Sequence, residues 1–437
     1  MSENGAMADR TTVKVGLLGC GNVGASVARL VAEHDDLLAA RAGVRIEIVR
    51  VAVRDLARDR DVPVSAERFT DDAESVVADP EVAVVVEVMG GIEPARSLVT
   101  SALKAGKPVV TGNKELLASR GVELFDAAAE AGVDLLFEAS VGGGIPLIRP
   151  LRESLAGDRI RRVMGIVNGT TNYILTRMTE DGASFAAALA EAQALGYAEP
   201  DPTADVEGLD AAAKAAIIAS IAFGAQVTVD DVHCEGITGI TTDDIASARD
   251  LGYVVKLLAI AEGVDGEVAA RVHPAMVPAH HPLASVRESF NALFIEGDAV
   301  GELMLYGRGA GGLPSASAVV GDLVDAAKNL ASGGRGATIG RLERKRIRPI
   351  DDVESQFYVS MDVADRPGVL ARISGAFGDH EVSILSMHHH GLGDAARLSF
   401  VTHRAREADL RATLRAVDDL EVVKTISSVL RVTGDDE

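Results

Sequence analysis

The sequence of 437 residues predicts an α/β fold in three parts: a parallel-sheet domain, a mixed α+β domain and a small C-terminal domain in the order βαββαβ. In the first third, short apolar runs alternate with helical patterns, which is typical of a parallel sheet. The middle third combines long apolar helices with strand-like runs. A glycine-rich, basic segment then interrupts the periodicity before strands begin again. The expected bounds are 13–146 for the first domain, 147–330 for the second, 331–353 for a linker and 354–433 for the third.

Composition narrows the classes of function. Apolar residues make up 47% of the chain and can fill real cores, yet no apolar run approaches the roughly 20 residues of a membrane span. A net charge of −22, the absence of Trp and 3% aromatic residues argue against nucleic acid or an anionic membrane as partner. Two cysteines and a short polar start without an apolar signal region predict a cytoplasmic protein without a disulfide framework. A soluble, acidic enzyme is the class that remains.

The first strand, residues 13–18, runs directly into the pattern G-x-G-x-x-G and then into a helical pattern. In this context the first glycine makes a tight turn, the second lets the backbone approach a pyrophosphate and the third permits close packing of helix on strand. The N-terminus of the helix faces the phosphates. The sequence therefore predicts a Rossmann-type dinucleotide site, with a glycine turn that binds nothing as the alternative. The predicted cofactor-binding residues of this turn are Gly19, Gly21, Asn22, Val23 and Gly24.

The second strand, residues 46–53, ends at Arg54 and Asp55. An acidic residue at this point usually binds the ribose 2′-hydroxyl of NAD, whereas an arginine accommodates the 2′-phosphate of NADP. Because Arg54 comes first, the sequence favours NADP as cofactor, with NAD tolerated. Two solvated loop charges are the alternative interpretation.

Further βα units follow the second strand. Ligands of an open α/β sheet bind beyond the carboxyl ends of its strands, which places the glycine loop, Arg54, Lys114 and the turn at Glu138 along one crevice. Lys114 is notable because lysine is much rarer than arginine in this chain, and an ammonium group can be deprotonated where a guanidinium cannot. The expected elements are strand 82–88, helix 94–105, strand 107–110, helix 121–131 and strand 133–138.

The most informative segment is 192–214, where four candidate carboxylates crowd a proline-broken loop and the first turn of a helix. Asp210 and Lys214 are four residues apart, so a helix places their side chains on one face. The two prolines keep the preceding chain extended, which directs Glu199 towards the same end of the helix. Several carboxylates beside one lysine can hold a substrate ammonium and supply a proton donor. An acidic helix start with a surface ion pair is the alternative. The four carboxylates are Glu199, Asp201, Asp205 and Asp210.

A second glycine-rich loop, residues 307–314, precedes another apolar helix at about 313–330. This arrangement predicts that the chain returns there to pack on the first domain, with Gly311 as a further cofactor-binding residue. The other expected elements of the middle domain are strand 161–167, helix 173–179, helix 184–195, helix 208–223 and strand-like runs at 268–277 and 292–306.

In the C-terminal domain, a turn at 365–368 precedes a helix, and three histidines follow a strand. His388, His389 and His390 are a weak candidate metal tract, because consecutive residues at a strand end point alternately to opposite sides. Cys20 and Cys234 give little support to a thiol mechanism. The expected elements are strand 356–363, helix 368–378, strand 382–387, strand 396–402, helix 405–416 and strand 421–431.

The segment 192–214 resembles the signature of homoserine dehydrogenases, A-x3-G-aromatic, D-P-x2-D-hydrophobic-x-G-x-D-x3-K, at every fixed position. The tail, with Asp365-Arg366-Pro367-Gly368-Val369-Leu370 in a βαββαβ frame, is similar to an ACT domain, a module that binds small effectors such as amino acids. The chain resembles the monofunctional form of the family. The supporting motifs are TGNK at 111–114, EASVGGGIP at 138–146, NGTTNYIL at 168–175 and GRGAGGLPSASAVVGD at 307–322.

The resemblance implies the interconversion of L-homoserine and L-aspartate 4-semialdehyde with NADPH or NADH, on the route to threonine, methionine and isoleucine. It implies that Lys214 is the proton donor, that Lys114 reaches substrate and nicotinamide, and that Asp210 orients the catalytic lysine. Glu199 and Asp205 then hold the substrate ammonium. A monovalent cation, Na⁺ or K⁺, is implied at a site built largely from backbone carbonyls, and its residues are Glu138, Val141, Gly143 and Ile145.

The same resemblance implies a homodimer or homotetramer and an amino-acid effector, threonine first, at the C-terminal domain. Ser383 departs from many relatives, in which an Asn lies near the bound amino acid. Two other functions stay open: aspartate-semialdehyde dehydrogenase, and an amino-acid-sensing protein that kept the fold and lost catalysis.

Overall fold

The structure is a computed structural model that describes residues 12–337, 339–391 and 395–434. The chain forms two compact units that interleave along the sequence. The first unit holds the chain up to Val163 together with Ala213–Val232 and Phe290–Lys345, and the second holds Met164–Ala212, His233–Ser289 and the chain from Arg346 onward. This division into two units does not test the domain bounds expected from the sequence, and those bounds stay a prediction.

The first unit contains a parallel sheet in the order β3-β2-β1-β4-β5-β6. Its central strands are almost wholly apolar, because a parallel sheet is buried on both faces. The elements are β1 (Thr12–Leu18), α1 (Asn22–Glu33), α2 (Asp35–Ala42), β2 (Arg45–Ala52), β3 (Phe69–Thr70), α3 (Ala73–Ala78), β4 (Val84–Glu87), α4 (Ala95–Lys104), β5 (Val109–Thr111), α5 (Lys114–Ala131) and β6 (Leu135–Leu136).

The middle of the chain alternates helices with long antiparallel strands. The helix Leu209–Phe223, labelled α9, begins in the second unit and continues into the first. The elements are β7 (Ile160–Ile166), α6 (Gly169–Asp181), α7 (Phe185–Ala194), α8 (Thr203–Val206), α9 (Leu209–Phe223), β8 (His233–Cys234), α10 (Thr242–Asp250), β9 (Tyr253–Val264), β10 (Glu267–Pro278), β11 (Phe290–Gly297), β12 (Gly301–Arg308) and α11 (Gly312–Ala331).

Helix α11 packs on α1 and α2 within the first unit and adds buried side chains such as Leu323 to the core around β1. At its start, Gly312 lies so close to α1 that an added Cβ would be 2.8 Å from the Ser26 hydroxyl and 3.0 Å from the Asn22 carbonyl. The second glycine loop therefore lies beside the first one, at the carboxyl end of β1.

The C-terminal residues complete the second unit. Their strands continue a sheet in the order β9-β10-β17-β13-β15-β14, in which β17 runs parallel to β10. Two helices, α12 and α13, cover an apolar core that includes Phe357, Phe377 and Phe400. The elements are β13 (Glu354–Ala364), α12 (Val369–Asp379), β14 (Ile384–Gly391), β15 (Ala395–Thr402), β16 (Ala405–Arg406), α13 (Glu407–Asp418) and β17 (Val423–Val432).

Several observed elements differ from the expected ones. The helix expected at 121–131 begins already at Lys114, because the Asn113 side chain caps its first turn. Strand β9 was not expected, and the single run expected at 292–306 is the hairpin of β11 and β12. Among the described residues, no helix has the length and apolar character needed to cross a bilayer.

Candidate active site

A cavity of about 580 Å³ lies beyond the carboxyl ends of β1, β2 and β4 in the first unit. The glycine turn after β1 lines one side. Gly19 has a φ of +96°, and an added Cβ there would lie 2.9 Å from the Val88 carbonyl oxygen. At Gly24 the added Cβ would lie 2.1 Å from the Gly19 carbonyl oxygen. Gly21, by contrast, has no described atom within 4 Å of its Cβ position, so the turn is packed against the protein at two glycines and open at the third.

Arginines line the other side of this cavity. Arg54 and Asp55 follow β2 as expected, and Arg58 and Arg60 join them. Asp55 accepts the Ala57 N–H at 2.9 Å, so this carboxylate is engaged in its own loop. The two further arginines were missed in the sequence, although the segment RDLARDR at 54–60 shows the charge cluster. The cavity thus offers several guanidinium groups to an anionic ligand.

A second cavity of about 310 Å³ adjoins the first, since residues 88–90 line both. Lys114 and Lys214 both line it. Lys114 is the first residue of α5, which Asn113 caps by accepting a backbone N–H of the first turn at 3.1 Å. Lys214 lies on α9 and is only 7% exposed. The structure therefore brings together two lysines that stand 100 positions apart in the sequence.

Three other residues are predicted to contact the cofactor. Val23 lines the lysine cavity. Asn22 is the exposed first residue of α1. Gly311 precedes α11 with a φ of +127°, a backbone conformation that suits glycine.

Glu87 ends β4 beside the lysine cavity and is fully buried. Its carboxylate accepts the Thr111 hydroxyl at 2.7 Å and the Met89 N–H at 2.8 Å. Burial raises the pKa of Glu87, and these hydrogen bonds oppose the rise. The residue fixes the ends of β4 and β5, which border the cleft, and sequence reasoning did not identify it.

In the second unit, Asn168 joins two of the predicted substrate carboxylates. Its side-chain amide donates to Asp205 at 2.7 Å and to Asp210 at 2.9 Å. Its oxygen accepts the Thr171 N–H at 2.9 Å and so caps α6. Glu199 is exposed, and its backbone carbonyl accepts from Gln193. The structure thus pairs Asp205 with Asp210 through Asn168, and places Glu199 on the loop before them.

The turn at residues 138–146 is held by a buried carboxylate. Glu138 accepts backbone N–H groups of three successive residues, 147–149, two of them at 2.8 Å. Its own N–H donates to Asp322 of α11 at 2.8 Å. Burial raises the pKa of Asp322 to about 7, against the lowering effects of that N–H and of Arg149. At Gly143, an added Cβ would lie 2.3 Å from the Gly309 carbonyl oxygen.

The same turn is the segment in which the sequence predicts a monovalent cation. Gly142 and Gly143 have φ values of +74° and +57°, a left-handed backbone conformation that glycine adopts without strain. Val141 and Ile145 are buried, so carbonyl oxygens rather than side chains are the available ligands there. Among the described residues, no group of three His, Cys, Asp or Glu side chains could hold a metal.

The weaker candidates gain no support. His388, His389 and His390 are exposed residues of β14. Burial raises the pKa of the Cys20 thiol, and burial with the nearby carboxylates raises that of Cys234 to about 11. Neither thiol is therefore prepared as a nucleophile.

The parallel sheet carries an open glycine turn, and arginines and two lysines line the adjoining cavities. This arrangement is that of a nicotinamide-dependent oxidoreductase. Family models agree. Residues 19–138 match the NAD-binding domain of homoserine dehydrogenase, residues 146–324 match homoserine dehydrogenase and residues 357–422 match the ACT domain.

Relatives match nearly the whole chain. A homoserine dehydrogenase of Mycobacterium tuberculosis is 52% identical, with 98% of this chain and 99% of the relative covered. The crystal structure of a homoserine dehydrogenase from Thiobacillus denitrificans is 39% identical and superimposes with a TM-score of 0.91, with 97% of this chain and 99% of that chain covered. A hyperthermophilic archaeal homoserine dehydrogenase in complex with NADPH is 28% identical, with a TM-score of 0.61, and covers 72% of this chain and 98% of its own.

The chain therefore belongs to the homoserine dehydrogenase family. It is an oxidoreductase with a nicotinamide-binding Rossmann domain, a mixed-sheet catalytic domain and a C-terminal ACT domain. The predictions of fold class, enzyme class and a nicotinamide cofactor are confirmed. The roles assigned to single residues stay predictions.

Proposed function

We propose that this chain interconverts L-homoserine and L-aspartate 4-semialdehyde with NADP(H), accepts NAD(H) as a second cofactor, and acts on the route to threonine, methionine and isoleucine. The observation that carries the proposal is the pair of lysines, Lys114 and Lys214, in a cavity that adjoins the arginine-lined one.

Lys214 is the proposed acid and base. In the reducing direction its ammonium gives a proton to the alkoxide oxygen that forms on the substrate, and in homoserine oxidation its amine takes the hydroxyl proton. Lys114, on the same cavity, positions that oxygen. A bound nicotinamide supplies or accepts the hydride. Proton transfer by a positioned group contributes about 10²- to 10⁴-fold to the rate.

The carboxylates are proposed to capture the substrate. Glu199 and Asp205 hold its ammonium group, and Asp210 orients Lys214. Two observations support this: Asn168 fixes Asp205 and Asp210 by hydrogen bonds, and α9 carries Asp210 one helical turn before Lys214.

The preference for NADP is proposed to come from Arg54. The residue lies on the arginine-lined cavity, and a guanidinium can grip the 2′-phosphate that only NADP carries. The open side of Gly21 leaves room for the pyrophosphate, and the N-termini of α1 and α11 lie beside it. The predicted cofactor contacts are Gly19, Gly21, Asn22, Val23, Gly24, Arg54, Lys114 and Gly311.

We also propose a site for Na⁺ or K⁺ in the turn 138–146, with Glu138, Val141, Gly143 and Ile145 as ligands, chiefly through backbone carbonyls. Two features support a hard cation there: the left-handed backbone of Gly142 and Gly143, and the nearby buried carboxylate of Asp322. No catalytic step depends on it.

The C-terminal domain is proposed to carry feedback control, with threonine the first candidate effector. ACT domains bind amino acids, and every residue assigned to chemistry precedes residue 315.

A homodimer or homotetramer is proposed as the assembly, because effector sites of such domains often form between copies. Both cysteines are free, which fits a cytoplasmic location. The division at 146, 330 and 353 is kept as the proposed domain plan.

The experiment is an absorbance assay of NADPH formation from L-homoserine and NADP. Turnover that requires both is the expected result. No turnover with either cofactor would favour a sensing protein. Activity that instead needs aspartate 4-semialdehyde together with phosphate would favour aspartate-semialdehyde dehydrogenase.

A further inference from the structure

A single arginine ties the C-terminal domain to the segment that follows β8. Arg431, on β17, donates two parallel hydrogen bonds of 2.8 Å to the Glu235 carboxylate. The same guanidinium also binds Glu407, the first residue of α13. The side chains of Arg431 and Glu407 are only 11% and 7% exposed. Bidentate arginine–carboxylate pairs of this kind fix the relative orientation of the two side chains as well as pairing their charges.

Backbone pairing fixes both partners of this ion pair. Strand β17 runs beside β10, with Arg431 opposite Ala275. The Glu235 N–H donates to the Val272 carbonyl of β10 at 2.8 Å. The His233 ring lies 2.7 Å from the Glu235 carboxylate. Although burial opposes its charge, hydrogen bonds from His233 and Arg431 hold the pKa of Glu235 well below its usual range.

The segment 233–237, which carries Glu235, is packed directly on the turn 206–208. An added Cβ at Gly236 would lie 2.3 Å from the Val206 carbonyl oxygen and 2.5 Å from the Glu207 Cα. The next N–H, of residue 237, donates to Val206 at 2.8 Å. The Cys234 thiol donates to the Glu207 carbonyl at 3.3 Å. A shift of the segment therefore moves the turn with it.

That turn stands between two carboxylates. Asp205 precedes it directly, and its carbonyl accepts the Gly208 N–H at 3.0 Å. Asp210 follows it by two residues, at the start of α9. Asn168 connects both carboxylates from the other side. The positions of Asp205 and Asp210 thus depend on where the turn is held.

We infer that Glu235 and Arg431 are positioning residues for homoserine: their ion pair holds the segment 233–237 against the turn 206–208 and so fixes Asp205 and Asp210 for the substrate ammonium. The inference rests on the proposed role of these two carboxylates. An effector that displaces β17 would act on substrate affinity through the same contact, because the ion pair is formed by a residue of that strand.

The test compares Glu235→Gln, Arg431→Met and the double variant in the full-length enzyme. Each single change is expected to raise the KM for homoserine about 5-fold or more, because the segment 233–237 then no longer holds the turn 206–208 and its two carboxylates in place. The double variant is expected to raise the KM no further than Arg431→Met does, since the pair with Glu235 is already broken in that variant. The KM for NADP and kcat should stay within twofold of wild type. Arg431→Lys, which keeps the charge, should recover part of the affinity.

The control is Arg406→Met, since Arg406 forms its ion pair with Asp409 inside the C-terminal domain. It should leave the KM for homoserine unchanged. Unchanged values in both single variants, additive effects in the double variant, or an equal rise in the control would each overturn the inference. Thermal unfolding of every variant checks the fold, and Arg431→Lys carries the test if Arg431→Met does not fold.

Asp205→Asn separates this inference from the proposed function. A raised KM for homoserine in Asp205→Asn, with no change in the ion-pair variants, overturns only the positioning role. No change in Asp205→Asn overturns the proposed substrate pocket, and the inference with it.

Discussion

Arg54 is one of three arginines that line the larger cavity, and its place two residues after the end of β2 gives it its expected role. In Arg54→Ala, we expect the affinity for NADP to fall by about 1.5–3 kcal/mol, the scale of a charged hydrogen bond. The affinity for NAD should change much less, because NAD has no 2′-phosphate. Titration of both cofactors by calorimetry measures this. Arg41→Ala, at an exposed position of α2, is the control, and equal losses for NADP and NAD would show that Arg54 does not read the 2′ position.

Lys256 predicts how the free energy of unfolding depends on pH. Its ammonium is buried, and it donates to the Asn172 side chain and to the Val286 carbonyl. Burial lowers its pKa from 10.5 to about 8. Between these values the unfolded chain holds a proton that the folded chain has released, so the free energy of unfolding rises with pH across this window.

Lys256→Met removes that rise. Relative to the variant, the wild type should therefore gain up to about 3 kcal/mol in free energy of unfolding between about pH 8 and pH 10. Denaturant unfolding at several pH values measures the difference. A difference that stays constant would show that Lys256 titrates normally, and one that shrinks as the pH rises would show that folding raises its pKa.

At the scale of residues, the sequence predicts a contact between two side chains when the two residues are close along the chain. Asp210 and Lys214 follow from helical spacing. Asn168 does not, because the carboxylates it joins are 37 and 42 residues away. The pair of Glu235 and Arg431 spans 196 residues, and each looks like an ordinary surface charge in the sequence. Such residues become visible only when the fold brings them together.

At the scale of elements, periodicity predicts which segments form strands and helices. The parallel strands near 82–88 and 107–110 were identified because they are short apolar runs between helices. The start of α5 was placed too late because the cap at Asn113 works through a side-chain hydrogen bond that periodicity does not register. Strand β9 was missed because its apolar run, in which consecutive residues are buried, does not alternate.

The segment from Gly19 to Gly24, which ends in the first turn of α1, predicts different effects for two of its glycines. Gly21→Ala should fold normally and weaken NADPH binding, because its Cβ position is open to the cavity. Gly24→Ala should lower the melting temperature or prevent folding, because its Cβ would meet the Gly19 carbonyl at 2.1 Å. Thermal unfolding and NADPH titration of both variants test this. If Gly21→Ala bound NADPH like wild type, the pyrophosphate would not lie at this turn.

At the scale of the whole molecule, the C-terminal domain is joined to the rest of the second unit by more than a linker. Strand β17 pairs with β10, and the segment before the domain pairs Ile347 with Val268. The sequence predicted the βαββαβ order of the domain, but it could not show that its last strand enters a larger sheet. That pairing depends on residues about 150 positions apart.

Threonine inhibition tests the regulatory role of this domain. The full-length enzyme should be inhibited by millimolar threonine, whereas a chain ending at Ile350 should oxidise homoserine without inhibition. The shortened chain should also melt at a lower temperature, because β10 loses its neighbour β17. Initial rates with and without threonine measure the effect. A shortened chain that is equally inhibited, or a full-length enzyme indifferent to threonine, would place control elsewhere.

The central claim is that Lys214 transfers the proton during homoserine oxidation, and the turnover of Lys214→Ala tests it most directly. Turnover with homoserine and NADP should fall at least ~10²-fold, the scale of general acid–base catalysis, while the affinity for NADPH stays near that of wild type. Lys328→Ala, on the half-exposed side of α11, is the matched control and should retain full turnover. If Lys214→Ala keeps more than about a third of wild-type turnover, Lys214 is not the group that accepts the hydroxyl proton and the proposed mechanism is wrong.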